Sequence, residues 1–183
     1  MFKIFGILLA FICGAMVKAV DWIMDGKLAK DNRWRLIAIG LAGIYGSAIG
    51  YIISTSSFAL IFLGGLFGQI ISGKIDNIAH RTGLVCTILT IMFFILFFIF
   101  SGSLPTFQIS ISDMPLLIFF TMVAWIDEQK LKGKLAVVAN YRLALKFATL
   151  VPLILWGRID YLVAILIFDG GYLLVEKLAE SIS

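Results

Sequence analysis

Asp21 and Asp25 stand four residues apart, and so do Asp76 and His80. On a helix that spacing stacks two side chains one turn apart on one face, where they can share a cation. Oxygen donors with a single imidazole suit magnesium or manganese better than a softer metal, and a carboxylate-held divalent ion commonly keeps waters and takes up a substrate phosphate. Asp21, Asp25, Asp76 and His80 are therefore the candidate metal ligands. Asp127, next to Glu128, and Arg142, close to Asn140, extend them to a candidate catalytic set of Asp21, Asp25, Asp76, Asp127 and Arg142. A metal and an arginine together neutralise the charge that develops on a phosphate leaving group. Lys146 and Asp169 form a second group of another kind, each set within an apolar stretch.

The elements that must carry these residues are unusually apolar. Of 183 residues, 61% are hydrophobic and only 14% charged, with a mean hydropathy of +1.05. A water-soluble domain would be about half apolar and about a quarter charged. Seven runs approach the roughly 20 residues that a bilayer core about 30 Å thick demands. They cover about 4–24, 36–53, 58–72 running on toward Ala79, 84–100, 115–126, 136–156 and 161–178. Backbone polar groups cannot go unpaired in lipid, so the runs should be helices; their continuity excludes the alternating pattern of a β-barrel. The expected fold is all-α, a polytopic integral membrane helix bundle of about seven transmembrane helices, one domain over 1–183. Ser110 to Asp113 read as an interfacial entry to the short fifth helix. The first run is longer than a leader's apolar core, so it reads as a span. Cys13 and Cys86 both fall inside runs, where a thiol acts as a small apolar side chain.

Charge sets the orientation. Of 15 Lys and Arg, ten lie in the loops after helices one, three and five and in the C-terminal tail: Lys27, Lys30, Arg33, Arg35, Lys74, Arg81, Lys130, Lys132, Lys134 and Lys177. The positive-inside rule then puts the N-terminus outside and the C-terminus in the cytoplasm, in the cell (inner) membrane. The carboxylates fall at the cytoplasmic ends of the odd-numbered helices, with Glu176 on the seventh. The chain also hints at repetition. Trp22-Ile23, an acidic residue and Lys27-Leu28 recur in order as Trp125-Ile126, Asp127 and Lys130-Leu131, and a gapless alignment of Phe58 with Tyr161 superposes Gly68 on Gly171. Units 1–82 and 115–183, joined by helix 84–100, would make a three-plus-one-plus-three parallel repeat. This resembles in outline the sugar transporters called SWEETs, although of Pro105, Pro115 and Pro152 only Pro152 lies well inside a run.

Three functions remain open on these residues. The first is a divalent-metal-dependent enzyme, using magnesium or manganese, that acts on a lipid or polyprenyl phosphate at the cytoplasmic surface. Its competitor is plain interfacial anchoring by charged helix ends. The aspartate-rich pattern of CDP-alcohol phosphotransferases is absent, and of the paired Asp-x-x-x-Asp motifs of UbiA-type prenyltransferases only Asp21–Asp25 fits; there is no nucleophile elbow, phosphate loop or zinc helix either. The second is a small cation- or proton-coupled transporter or channel. An intramembrane charge costs ~2.5–3.5 kcal/mol on insertion scales, so it should face the interior and find a partner. Counting from a turn near Arg158 sets Lys146 and Asp169 at depths differing by about 3 Å, so they can meet across the hairpin. Lys18 either joins them or snorkels to the interface. The third is a noncatalytic membrane assembly factor. Expected partners are membrane lipids, a lipid-phosphate substrate and a second copy through the phenylalanine-rich fourth helix, with no nucleic acid. Gly40, Gly43, Gly46 and Gly50, with Gly64 and Gly68, read as close helix packing.

Overall fold

The computed structural model describes residues 2–26, 31–102, 110–129 and 143–182. Every regular element among them is helical: α1 Phe2–Asp25, α2 Asn32–Thr55, α3 Ala59–Ile71, α4 Ile78–Ser101, α5 Met114–Asp127, α6 Leu143–Ala148, α7 Leu150–Trp156 and α8 Ile159–Ile182. A 3-10 turn, Ile111–Asp113, leads into α5, and Ser110 and Asp113 bond each other's backbone as a capping box. Counting α6 and α7 as one interrupted rod, seven rods fit the described chain. Three helical stretches, Ile4–Asp25, Asn32–Thr55 and Ile78–Ser101, are long and apolar enough to cross a membrane.

Two expected boundaries are corrected. The third run does not continue to Ala79. α3 stops at Ile71, Gly73 turns the chain at φ 72, and Asn77 starts α4 by accepting a hydrogen bond from His80 N at 3.0 Å. Asp76 therefore lies in the turn and His80 in the first turn of α4, so their spacing is not that of one helix face. The sixth run is described only from Leu143, and it breaks at Thr149. Pro152 has no N–H to return to Ala148, and the Thr149 N–H is shared between the Leu145 and Lys146 carbonyls at 3.3 and 3.2 Å. Arg142 lies outside the described residues.

Glycines set the packing of three parallel helix pairs. Between α1 and α8, a Cβ on Gly14 would stand 1.9 Å from the Phe168 carbonyl oxygen, and one on Gly171 would stand 2.1 Å from that of Phe11. Lys18 meets Glu176 further along both helices, so the two run the same way. α2 lies on α4 through Gly46 and Gly83, and Thr87 Oγ1 donates across to the Gly46 carbonyl at 2.9 Å. Gly64 and Gly68 of α3 take Phe120 and Ala124 of α5. Gly40 and Gly65 meet nothing within 4 Å, so the glycine stripes are only partly used. Aromatic contacts tie the pairs together: Phe120 stacks on Tyr161 at 5.6 Å, and Phe62 meets Phe168 edge-on at 5.8 Å. The outer side of α4 stays uncovered, with Phe93, Phe97 and Phe100 exposed.

Candidate functional site

α1 ends at Asp25 and α3 at Ile71, and both ends lie by the α3–α4 turn. A cavity of about 570 Å³ opens at this end, walled by α1, α2, the α3–α4 turn, Glu128 after α5, and α8. Its charged lining is Lys18, Lys74, Asp21, Asp25, Asp76 and Glu128, with His80. Two cations face four carboxylates, so with a neutral imidazole the wall carries a net charge of −2.

A hydrogen-bonded chain crosses this wall from α2 to α8. Asp21 Oδ1 lies 3.0 Å from His80 Nε2, and His80 Nδ1 lies 3.1 Å from the Tyr45 hydroxyl. An ionised carboxylate can only accept, so in the neutral ring Nε2 carries the proton toward Asp21 and Nδ1 accepts from Tyr45. Tyr172 donates its hydroxyl to Asp21 Oδ2 at 3.4 Å and accepts from Lys18 Nζ at 3.4 Å. Lys18 in turn donates to Glu176 at 2.6 Å and sits 4.7 Å over the Tyr172 ring. Helical position explains the order: Lys18 and Asp21 share a face of α1, as Tyr172 and Glu176 share one of α8. Lys74 reaches Glu128 at 3.5 Å and so ties the α3–α4 turn to the end of α5.

The expected site residues divide. Asp21, Asp25, Asp76 and His80 all line the cavity. Asp21 and His80 are in direct contact, whereas Asp25 and Asp76 are exposed on the wall and make no ion pair among the described residues. No three His, Cys, Asp or Glu side chains among the described residues gather as a metal ion would require. Asp127 does not line the cavity: it is 7% exposed and accepts from the backbone N–H groups of Ala144 and Leu145 at 3.1 and 2.7 Å, holding the start of α6. Lys146 and Asp169 are brought together, Nζ to Oδ2, at 2.6 Å. Lys18 joins Glu176 rather than that pair.

Three contributors escaped the sequence reading. Tyr45 and Tyr172 carry no motif, and only the pairing of α2 with α4 and of α1 with α8 gives them partners. At the opposite end of the bundle, Arg158 donates to Asp160 at 3.0 and 2.9 Å and to the Ser57 carbonyl at 2.6 Å, while Ser57 donates its hydroxyl to Asp160 at 2.5 Å. This clasp joins the α2–α3 turn to the start of α8. Burial pushes the Asp160 carboxyl up, but the hydrogen bonds from Arg158 and Ser57 outweigh it and hold the group below its ordinary value. The bond to Asp160 raises the Arg158 guanidinium above its own.

Comparison with known proteins adds no likeness: no family model, curated protein or solved structure matches this chain.

Proposed function

We propose that this is an integral membrane protein of seven crossings that carries a small cationic solute in exchange for protons. The membrane reading rests on the three helices long and apolar enough to span and on the uncovered phenylalanines of α4. The excess of Lys and Arg in the loops at the cavity end supports a cytoplasmic cavity and an outer clasp. Exchanging the first three rods with the last three carries the α1–α8 pair onto the α5–α3 pair. Both pairs run parallel with a glycine of the sequence-aligned Gly68 and Gly171 at the crossing, which supports the three-plus-one-plus-three repeat.

One observation carries the functional reading: the chain Tyr45, His80, Asp21, Tyr172 and Lys18 lines a cavity of about 570 Å³, within the size range of small-molecule sites, and Lys18 ties it to Glu176 behind the wall. Hydroxyls, an imidazole and carboxylates in sequence can pass a proton, and the surplus of carboxylates selects a cation. At the other end the clasp of Arg158, Asp160 and Ser57 holds the α2–α3 turn to α8, and none of its residues lines the cavity, which fits a carrier open to one side. The test is flux in vesicles. Purified protein in proteoliposomes holding a pH-sensitive dye is given an outward-facing gradient of tetramethylammonium, sodium or potassium. At least one cation should move internal pH faster than in protein-free vesicles; traces identical to the protein-free control for all three contradict the reading.

A second reading, the magnesium- or manganese-dependent enzyme on a lipid phosphate, is favoured by Asp25 and Asp76 beside Lys74 on the cavity wall. Magnesium keeps several waters and needs only one or two carboxylates. Thermal stabilisation by either ion in wild type that Asp25→Asn abolishes would favour it.

A further inference from the structure

Midway along α8 stands a charged pair that the cavity does not use. Lys146 Nζ lies 2.6 Å from Asp169 Oδ2, and Asp169 is only 4% exposed. Its other oxygen, Oδ1, is buried and makes no hydrogen bond among the described residues. A buried acceptor left unmade costs free energy, and a carboxylate oxygen in that position is satisfied by binding something positive.

Among the described residues, no further charged group stands at this level. Asp160 is nine residues back along α8, about 14 Å at helical rise, and Glu176 is seven residues on, about 10 Å, and engaged by Lys18. α6 brings Lys146 and no other charged residue, and α7 brings none. α1 faces this turn with Phe11, Gly14 and Ala15, its own charges Lys18 and Asp21 lying at the level of Tyr172 and Glu176. α3 contributes Gln69. That glutamine lines both the large cavity and a small one of about 60 Å³ between α3, α6 and α8, whose walls include Leu145 and Phe168, the chain neighbours of the pair. The small cavity has room for about two waters. Lys146 itself sits on α6 just before the break at Thr149.

We infer that Asp169 is a buried proton-binding site in which the incoming proton competes with Lys146. The proton adds to the carboxylate, which becomes neutral; Lys146 keeps its own proton and its contact with Asp169 is no longer an ion pair. Binding and release of solute in the cavity are then linked to one discrete charge change in the bundle interior. Only that purpose rests on the carrier reading, since the proton site itself is defined by the pair.

Infrared titration of the purified full-length protein tests it by following the carbonyl band of protonated carboxyl groups as pH falls. Wild type should gain a component that Asp169→Asn lacks. Lys146→Met should show that component already at neutral pH, because a buried carboxylate without its cation takes up a proton. Identical titrations of wild type and Asp169→Asn would overturn the inference, as would a Lys146→Met spectrum at neutral pH equal to wild type. If Lys146→Met does not fold, the comparison of wild type with Asp169→Asn, and with the charge-free double variant Lys146→Met, Asp169→Asn, decides alone. The readout is proton binding rather than flux, so a protein that shows the band but moves no cation would sink the carrier reading and leave the site standing.

Discussion

Gly170 and Gly171 are neighbours on α8, yet alanine at each should have opposite effects. A Cβ at Gly170 meets nothing within 4 Å, and the residue is exposed. Alanine there should stabilise the helix by about 0.5–1 kcal/mol, because glycine loses more backbone freedom on folding. A Cβ at Gly171 would stand 2.1 Å from the Phe11 carbonyl oxygen, where ordinary contact begins at 3.4 Å, so α1 and α8 must part by the difference, about 1.3 Å. The obstructing atom is backbone, held also by Gly14 against Phe168, and cannot swing aside as a side chain would. Overpacking of that kind costs about 1–3 kcal/mol before the helix gain is subtracted. The two variants should therefore differ by about 1–3 kcal/mol, tenfold or more in the unfolding equilibrium at the middle of that range. Thermal unfolding in detergent, followed by intrinsic fluorescence, measures it. Equal midpoints for Gly170→Ala and Gly171→Ala would refute the parallel α1–α8 contact.

The sequence made the pairing of Lys146 with Asp169 legible because a hairpin fixes relative depth by counting residues from its turn. It made the polar end legible because Asp21, Asp25, Asp76 and His80 all fall near helix ends. It hid what depends on which helices are neighbours. Lys18 finds Glu176, and Tyr45 finds His80, only through the α1–α8 and α2–α4 contacts, which no local spacing records. The α3–α4 turn was disguised by the apolar Ile75, Ile78 and Ala79, although Gly73 and Asn77 were its signals. Asp127 was singled out by its type alone, and its bonds to the backbone N–H groups of Ala144 and Leu145 depend on a neighbouring helix that its own segment does not record.

Other outcomes follow from the same contacts. Asp127→Ala should destabilise the protein by about 1–2 kcal/mol through loss of the bonds to Ala144 and Leu145, read as a lower unfolding midpoint, with Asp127→Asn less severe. Because Asp160 is held below its ordinary value near 3.9, the clasp contributes stability that is fully present above that pH and lost as pH falls through the lower folded value. Unfolding midpoints should be flat through neutral pH and drop in acid, and Asp160→Asn should remove that drop while lowering the neutral plateau. In a Cys86→Ala background, Ser110→Cys should react with an impermeant maleimide in intact cells and Ser181→Cys only after permeabilisation; labelling of both from one side would refute an odd number of crossings between them.

The central claim, that the polar cavity couples cation movement to protons through Asp21, is met most directly by comparing wild type and Asp21→Asn in proteoliposomes under one tetramethylammonium, sodium or potassium gradient. Asp21 joins His80 to Tyr172, so its amide breaks the chain at its centre while keeping its shape. Wild type should show a cation-driven change in internal pH that reverses sign when the gradient is reversed, and Asp21→Asn, folded to the same midpoint, should show none. A folded Asp21→Asn protein that moves protons at the wild-type rate would contradict the account.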